Sequence, residues 1–171
     1  FLAERGWHPT HKLARKVVVH GHCHHKAVLK FDQEKALLKK FVDDFDVLDS
    51  GCCGMAGAFG YEKEHYEVSQ KCGERVLLPA VRDAPKEAII LTDGFSCREQ
   101  VQQATDRKPM HFAELCKMAL DEHGAPTSDA YPERRYVTPT QPASGTLLYV
   151  LAGVVVLVVI AIVFGVIFAA R

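Results

Sequence analysis

Residues 45–60 read FDVLDSGCCGMAGAFG: a short apolar run over 45–48, a glycine-rich loop with two adjacent cysteines, and then a segment of helical character over about 61–82. An apolar run bounded by turn residues predicts a buried strand, so the unit is strand, loop, helix. The same order occurs twice more. KVVVH at 16–20 leads into GHCHHKAV, and AIILT at 88–92 leads into DGFSC with a helix starting near Ser96. Ala36, Leu37, Phe41 and Val42 give residues 32–42 helical spacing, a short fourth strand is expected at 109–111, and a helix is expected over 112–122. The helix over 61–82 is expected to bend at Pro79. Strands alternating with helices predict an α/β fold, a mostly parallel sheet with helices on both faces.

Each of the three strand-to-helix loops carries cysteine: Cys23, the pair Cys52 and Cys53, and Cys97. Parallel strands end on one edge of their sheet, where ligands bind. Four thiols remote in sequence are therefore expected at one site, as ligands of a metal or an iron–sulfur cluster. Sequence spacing alone does not separate zinc from iron. Zinc sites usually announce themselves through close Cys-x-x-Cys pairs, which this chain lacks. Adjacent cysteines do not easily turn both side chains toward one small ion, whereas a cluster offers several irons. Gly51 and Gly54, with Gly57 and Gly60, are the candidates for letting the backbone approach such a bulky group. Helix N-termini, Lys26 and Arg98 would offset its negative charge.

Four histidines, His20, His22, His24 and His25, crowd around Cys23. Imidazole also binds zinc, copper and iron, but strand alternation forbids all four from facing one point. His65 is expected to be solvated. Cys72 and Cys116 fall within helices, read as small hydrophobes, and stay outside the candidate site.

The 171 residues are 48% hydrophobic and 25% charged, enough for one domain with a core and an additional segment. The formal net charge is zero, so no nucleic-acid partner is expected. Six cysteines, two of them adjacent, in a chain without a loop-rich disulfide scaffold point to a reducing compartment. The opening FLAERG reads as the end of a helix capped by Gly6, which predicts a fragment or the C-terminal part of a longer protein. The α/β domain is placed at 1–123. Residues 124–146, with Pro126, Pro132, Pro139 and Pro142, read as a linker. Residues 147–170 are uncharged and apolar, long enough at about 1.5 Å per residue to cross a hydrocarbon core of about 30 Å. They predict a single C-terminal transmembrane helix and a membrane location, with the soluble domain cytoplasmic because Arg134 and Arg135 precede the span and Arg171 alone follows it.

HGHCHHKAV, LDSGCCGMAGAFGYEKEHYEVS and DGFSCREQ resemble the cysteine-rich CCG domain. That domain is found in heterodisulfide reductase, in the iron–sulfur subunits of glycolate oxidase and anaerobic glycerol-3-phosphate dehydrogenase, and at the C-terminus of fused FAD-linked oxidases. The likeness spans about residues 16–120. It implies an α/β fold, an iron–sulfur cluster and electron transfer from flavin-oxidised 2-hydroxy acids or related substrates. Cys23, Cys52, Cys53 and Cys97 match the family's cysteines. Where many members carry Cys-x-x-Cys at the last position, this chain has Gly94, which favours a 4Fe-4S cluster on four thiolates.

The resulting expectation is an iron–sulfur electron-transfer domain of a membrane-anchored dehydrogenase. No flavin or nicotinamide fingerprint is visible, so FAD is assigned to an absent partner domain or subunit, and a quinone in the membrane is the expected acceptor. Two alternatives carry different chemistry: a zinc-stabilised interaction module, and a redox protein cycling Cys52 and Cys53 through a vicinal disulfide.

Overall fold

The computed structural model describes residues 4–125, 128–137, 153 and 155–157. The chain divides into two compact units, 1–138 and 139–171.

The first unit is α/β. Strand β1 (Val17–Val19) leads through α1 (Cys23–Val28) and α2 (Asp32–Phe41) to β2 (Phe45–Val47). The chain continues through a 3₁₀ turn (Phe59–Tyr61), α3 (Tyr66–Glu74) and α4 (Leu77–Asp83) to β3 (Ile89–Leu91), then α5 (Phe95–Ala104) and α6 (Phe112–Glu122). A last 3₁₀ turn spans Pro132–Arg135. The sheet is parallel in the order β2-β1-β3, with Val17 opposite both Phe45 and Ile89. The expected fourth strand is reduced to one parallel bridge between Leu91 and Met110, held by Met110 N–H to Ile90 O at 2.8 Å and Thr92 N–H to Met110 O at 3.0 Å. Pro109, which has no amide to donate, precedes it.

Strand alternation sorts the side chains into two cores. Val17, Val19, Ile89 and Leu91 face α2 and α6, where Leu38, Phe41, Leu115 and Met118 complete the packing. Val18 and Ile90 face the opposite side with Leu77, Leu78, Val81 and Val101 of α4 and α5. Each aliphatic side chain buried this way contributes about 1.5–3 kcal/mol relative to exposure. Helix α2 shows the pattern in its sequence: Leu38 and Phe41 are buried while Lys39 and Lys40 face solvent.

The helix expected over 61–82 is two helices, and the break falls at Val76 (φ −147°, ψ −47°), not at Pro79. In a continuous helix Pro79 would leave the Arg75 carbonyl without a donor and press its ring against it. Restarting at Leu77 makes Pro79 the third residue of α4, where no amide is needed.

Part of the proline-rich stretch read as linker packs on this unit. Val137 joins the first core, Tyr131 N–H donates to Lys86 O at 2.8 Å, and Glu133, fully buried, pairs with Arg107 at 2.8 Å. Residues 126–127 and 138–146 lie outside the described residues.

The membrane expectation requires correction. Among the described residues no helix is long and apolar enough to cross a membrane. The longest, α6, has 11 residues, about 16 Å of helix against a core of about 30 Å. Of the second unit only 153 and 155–157 are described, as helical and exposed; the rest of the span assigned to 147–170 lies outside the described residues. The single-pass anchor and the membrane location inferred from it are therefore not supported.

Candidate metal centre

Because β1, β2 and β3 are parallel, the loops that follow them open on one edge. The chain leaves β1 toward helices on one face of the sheet and leaves β3 toward α5 on the other, which opens a crevice between the two strand ends. Cys23 is the first residue of α1 and is half-buried. Cys52 is exposed and Cys53 buried in the loop after β2, and Cys97 is buried as the third residue of α5.

The four thiols interact in series. Cys23 is electrostatically coupled to Cys52, Cys52 to Cys53, and Cys53 to Cys97, and Cys97 also feels the charge of Cys23. None is in a disulfide. The hydrogen bond from Cys97 is the main reason the Cys53 thiol is pulled down to about 6, against the opposing effect of burial; the amides of Met55 and Ala56 assist. The same bond pushes Cys97 far up, with burial and the Cys53 charge adding to it. Cys52 is raised, chiefly by burial, while the Gly54 amide, 3.3 Å from its sulfur, works the other way. A thiolate at Cys53 with a thiol donor at Cys97 satisfies this set.

The loop that aims these amides is fixed by close packing. Gly54 adopts φ +96°, and a Cβ there would lie 2.1 Å from the Ser69 carbonyl oxygen of α3. Gln100 of α5, fully buried, donates to the same carbonyl at 3.4 Å. Ser96 accepts from the Gly57 amide at 3.0 Å, so α3 and α5 both grip the Cys52–Cys53 loop. Gly51 is different: a Cβ there would meet nothing within 4 Å. Gly54 is thus demanded by α3, and Gly51 by no contact.

Ser50, which sequence reasoning passed over, and His20, one of the histidines it singled out, complete the frame. Ser50 and His20 are both buried, with His20 Nδ1 2.6 Å from Ser50 Oγ. This link joins the end of β1, three residues before Cys23, to the loop two residues before Cys52. Lys26 also reaches the carbonyls of Leu48 and Ser50, at 3.4 and 3.5 Å. Hydroxyl and imidazole at two strand ends were the only signal in the sequence.

Elsewhere, His65 is stacked on Phe59 with ring centroids 4.1 Å apart and pairs with Glu62, so it is partly covered and not simply solvated. His111 is the N-cap of α6, accepting from the Ala113 amide while Glu114 accepts from its own amide. Cys116 is a core residue whose thiol burial pushes up to about 11, and Cys72 is half-buried in α3.

Among the described residues no three His, Cys, Asp or Glu side chains are arranged to hold a single metal ion. The donors form a chain of four soft sulfurs with backbone amides directed at two of them. Four soft sulfurs are a donor set that an iron–sulfur cluster accepts, as structural zinc also does.

No family model and no solved structure matches the chain. Among curated proteins it is 32% identical over 115 residues to one subunit of the anaerobic glycerol-3-phosphate dehydrogenase of Escherichia coli (strain K12), covering 66% of this chain and 28% of that protein. It is 36% identical over 66 residues to D-2-hydroxyglutarate dehydrogenase of Pseudomonas putida, covering 39% of this chain and 6% of that protein. The corresponding enzyme of Pantoea ananatis matches at 32% over 79 residues, 46% of this chain and 8% of that protein. The chain therefore spans little more than a quarter of the length of the first relative and a small fraction of the others. By sequence it is homologous to one segment of each of these dehydrogenase components.

Proposed function

We propose that this chain is the iron–sulfur segment of a flavin-linked dehydrogenase acting on a 2-hydroxy acid or a similar substrate. The reading is supported by Cys23, Cys52, Cys53 and Cys97, which follow three parallel strands onto one sheet edge and influence one another electrostatically. The dehydrogenase relatives support it.

A 4Fe-4S cluster bound there would supply one-electron transfer between a flavin on a partner domain or subunit and a downstream acceptor. Cys23, Cys52, Cys53 and Cys97 would hold it. The amides of Gly54, Met55 and Ala56 donate to the sulfurs of Cys52 and Cys53 and so offset negative charge. Met55 and Leu77, buried behind Cys53, exclude water from the inner side, while exposed Cys52 leaves an outer side open to a partner.

One observation weighs against the vicinal-disulfide alternative. A vicinal-disulfide cycle needs a thiol that is both accessible and low in pKa, whereas Cys53 is lowered but buried and Cys52 is exposed but raised.

Anaerobic purification with iron, sulfide and zinc analysis, and absorption spectra before and after dithionite, tests the reading. Iron and sulfide in similar amounts with a brown band that bleaches is the expected result. Stoichiometric zinc with no visible band would overturn it.

A further inference from the structure

The structure separates the histidines that crowd around Cys23. His20 is tied to Ser50 at 2.6 Å, and His25 Nε2 pairs with Glu34 at 2.9 Å. The His24 ring is tilted against that of His22, with centroids 6.4 Å apart. His22 is the one that shares a neighbour, Gly94, with Cys97. A Cβ placed on Gly94 would fall 2.7 Å from His22 Cδ2 and 3.0 Å from Cys97 Sγ, so the imidazole and the sulfur flank the same small space. His22 is the N-cap of α1 and Gly94 the N-cap of α5, one on each side of the crevice between β1 and β3. The His22 side chain caps nothing, which leaves its nitrogens unused by the helix it precedes.

Gly94 sharpens this point. Its dihedrals, φ −67° and ψ 123°, suit any residue, so its backbone does not call for glycine. What requires glycine there is the ring and the sulfur on either side of it. A glycine at position 94 thus leaves free the space that both His22 and Cys97 border.

We propose that His22 is a nitrogen contact of the metal centre, donating a hydrogen bond to sulfur beside Cys97 and thereby raising the reduction potential of the cluster. The proposal rests on the iron–sulfur reading above. Hydrogen bonds to cluster or ligand sulfur stabilise the more negative, reduced state, and such bonds are a principal control of cluster potential. His22 would act on the centre and would not replace any of the four thiolates.

The test uses the full chain, loaded and handled anaerobically, with three variants: His22→Leu, Gly94→Ala and His24→Leu. Pulsed EPR of the dithionite-reduced protein, with histidine labelled by ¹⁵N to separate imidazole from backbone amides, reads the contact, and a redox titration reads its effect. The expected result is an imidazole coupling in the wild type that disappears in His22→Leu and weakens in Gly94→Ala, where the new Cβ displaces the ring. The potential falls in both and is unmoved in His24→Leu. Should His22→Leu fail to assemble a cluster, Gly94→Ala carries the same comparison with the ring still present. A wild type without imidazole coupling, or equal potentials in wild type and His22→Leu, overturns the role of His22 while leaving the cluster intact. A wild type that binds no iron instead overturns the iron–sulfur reading, and this inference with it.

Discussion

His20 Nδ1 and Ser50 Oγ stand 2.6 Å apart in the interior, joining the end of β1 to the loop that carries Cys52 and Cys53. Burial, with the nearby charges of Lys26 and His22, lowers His20 from 6.5 to about 4, so the ring is neutral in the folded protein at neutral pH. The unfolded chain takes up a proton at His20 near pH 6.5 and the folded one does not until about pH 4. Between those values the unfolded state binds more protons, so stability falls as the pH falls. The loss from this residue is on the order of 3 kcal/mol by pH 4. Urea unfolding of wild type and His20→Gln from pH 7 to pH 4 checks this. The wild type should lose stability more steeply across the window, and parallel curves would refute the assignment.

Gly54 and Gly51 were equal candidates in the sequence and should behave oppositely when given a methyl group. Gly54→Ala must relieve both φ +96° and a 2.1 Å clash with the Ser69 carbonyl, which belongs to the backbone of α3 and cannot swing away. A loss of about 2–4 kcal/mol is expected, with release of the Cys52–Cys53 loop. Gly51→Ala meets open space and should change stability by about 0.5 kcal/mol or less. Thermal unfolding of the two variants, with alkylation of Cys53 by iodoacetamide as a probe of the loop, makes the comparison. Similar behaviour of both would show that the loop does not pack on α3.

What was legible in the sequence was local. The valine run at 17–19 and the apolar 89–91 announced buried strands, and the capping pattern around His111 and Glu114 begins α6 where helical spacing placed it. The four cysteines were picked out because each follows a strand, and parallel topology puts the segments that follow strands on one edge. What escaped was set by contacts between distant segments. Nothing near Gly54 in sequence reveals that Ser69 lies against it, and Pro79 marks an interruption without saying that it falls at Val76. The segment around Glu133 looked like a tether because its prolines and polar residues are local signals, whereas its partner Arg107 lies 26 residues earlier. The C-terminal apolar run illustrates the opposite risk: hydropathy alone suggested a span that no described helix supports.

Arg107 and Glu133 form an ion pair with both side chains almost wholly removed from water. Arg107 also donates to the Pro85 carbonyl at 3.2 Å and to that of Ala88, so it ties the residues before β3 to the C-terminal turn. Glu133→Ala leaves a buried guanidinium without its counter-charge, and the expected cost is about 3–5 kcal/mol. Replacing both partners by apolar residues of similar volume, as in Arg107→Met with Glu133→Leu, should recover most of that loss. Chemical denaturation of the single and double variants decides it. A single variant as stable as wild type would mean that residues 132–135 do not belong to the folded unit.

The coupling between Cys53 and Cys97 gives the thiol series its most direct signature before any metal is added. Because the hydrogen bond from Cys97 is the leading cause of the lowered Cys53 value, Cys97→Ala should raise Cys53 from about 6 toward the ordinary thiol range near 9. Thiolate absorbance near 240 nm, titrated in metal-free reduced protein, follows the change. The wild type should show one thiolate forming near pH 6, and the variant should lose that step. Cys72→Ser, which alters a half-buried helix residue outside the series, should keep it. After anaerobic reconstitution the same Cys97→Ala protein should retain far less iron than Cys72→Ser, since it lacks one of the four sulfurs. Equal iron in the two variants would remove Cys97 from the centre, and a low-pH thiolate surviving in Cys97→Ala would mean that the Met55 and Ala56 amides, not the neighbouring thiol, hold the charge on Cys53.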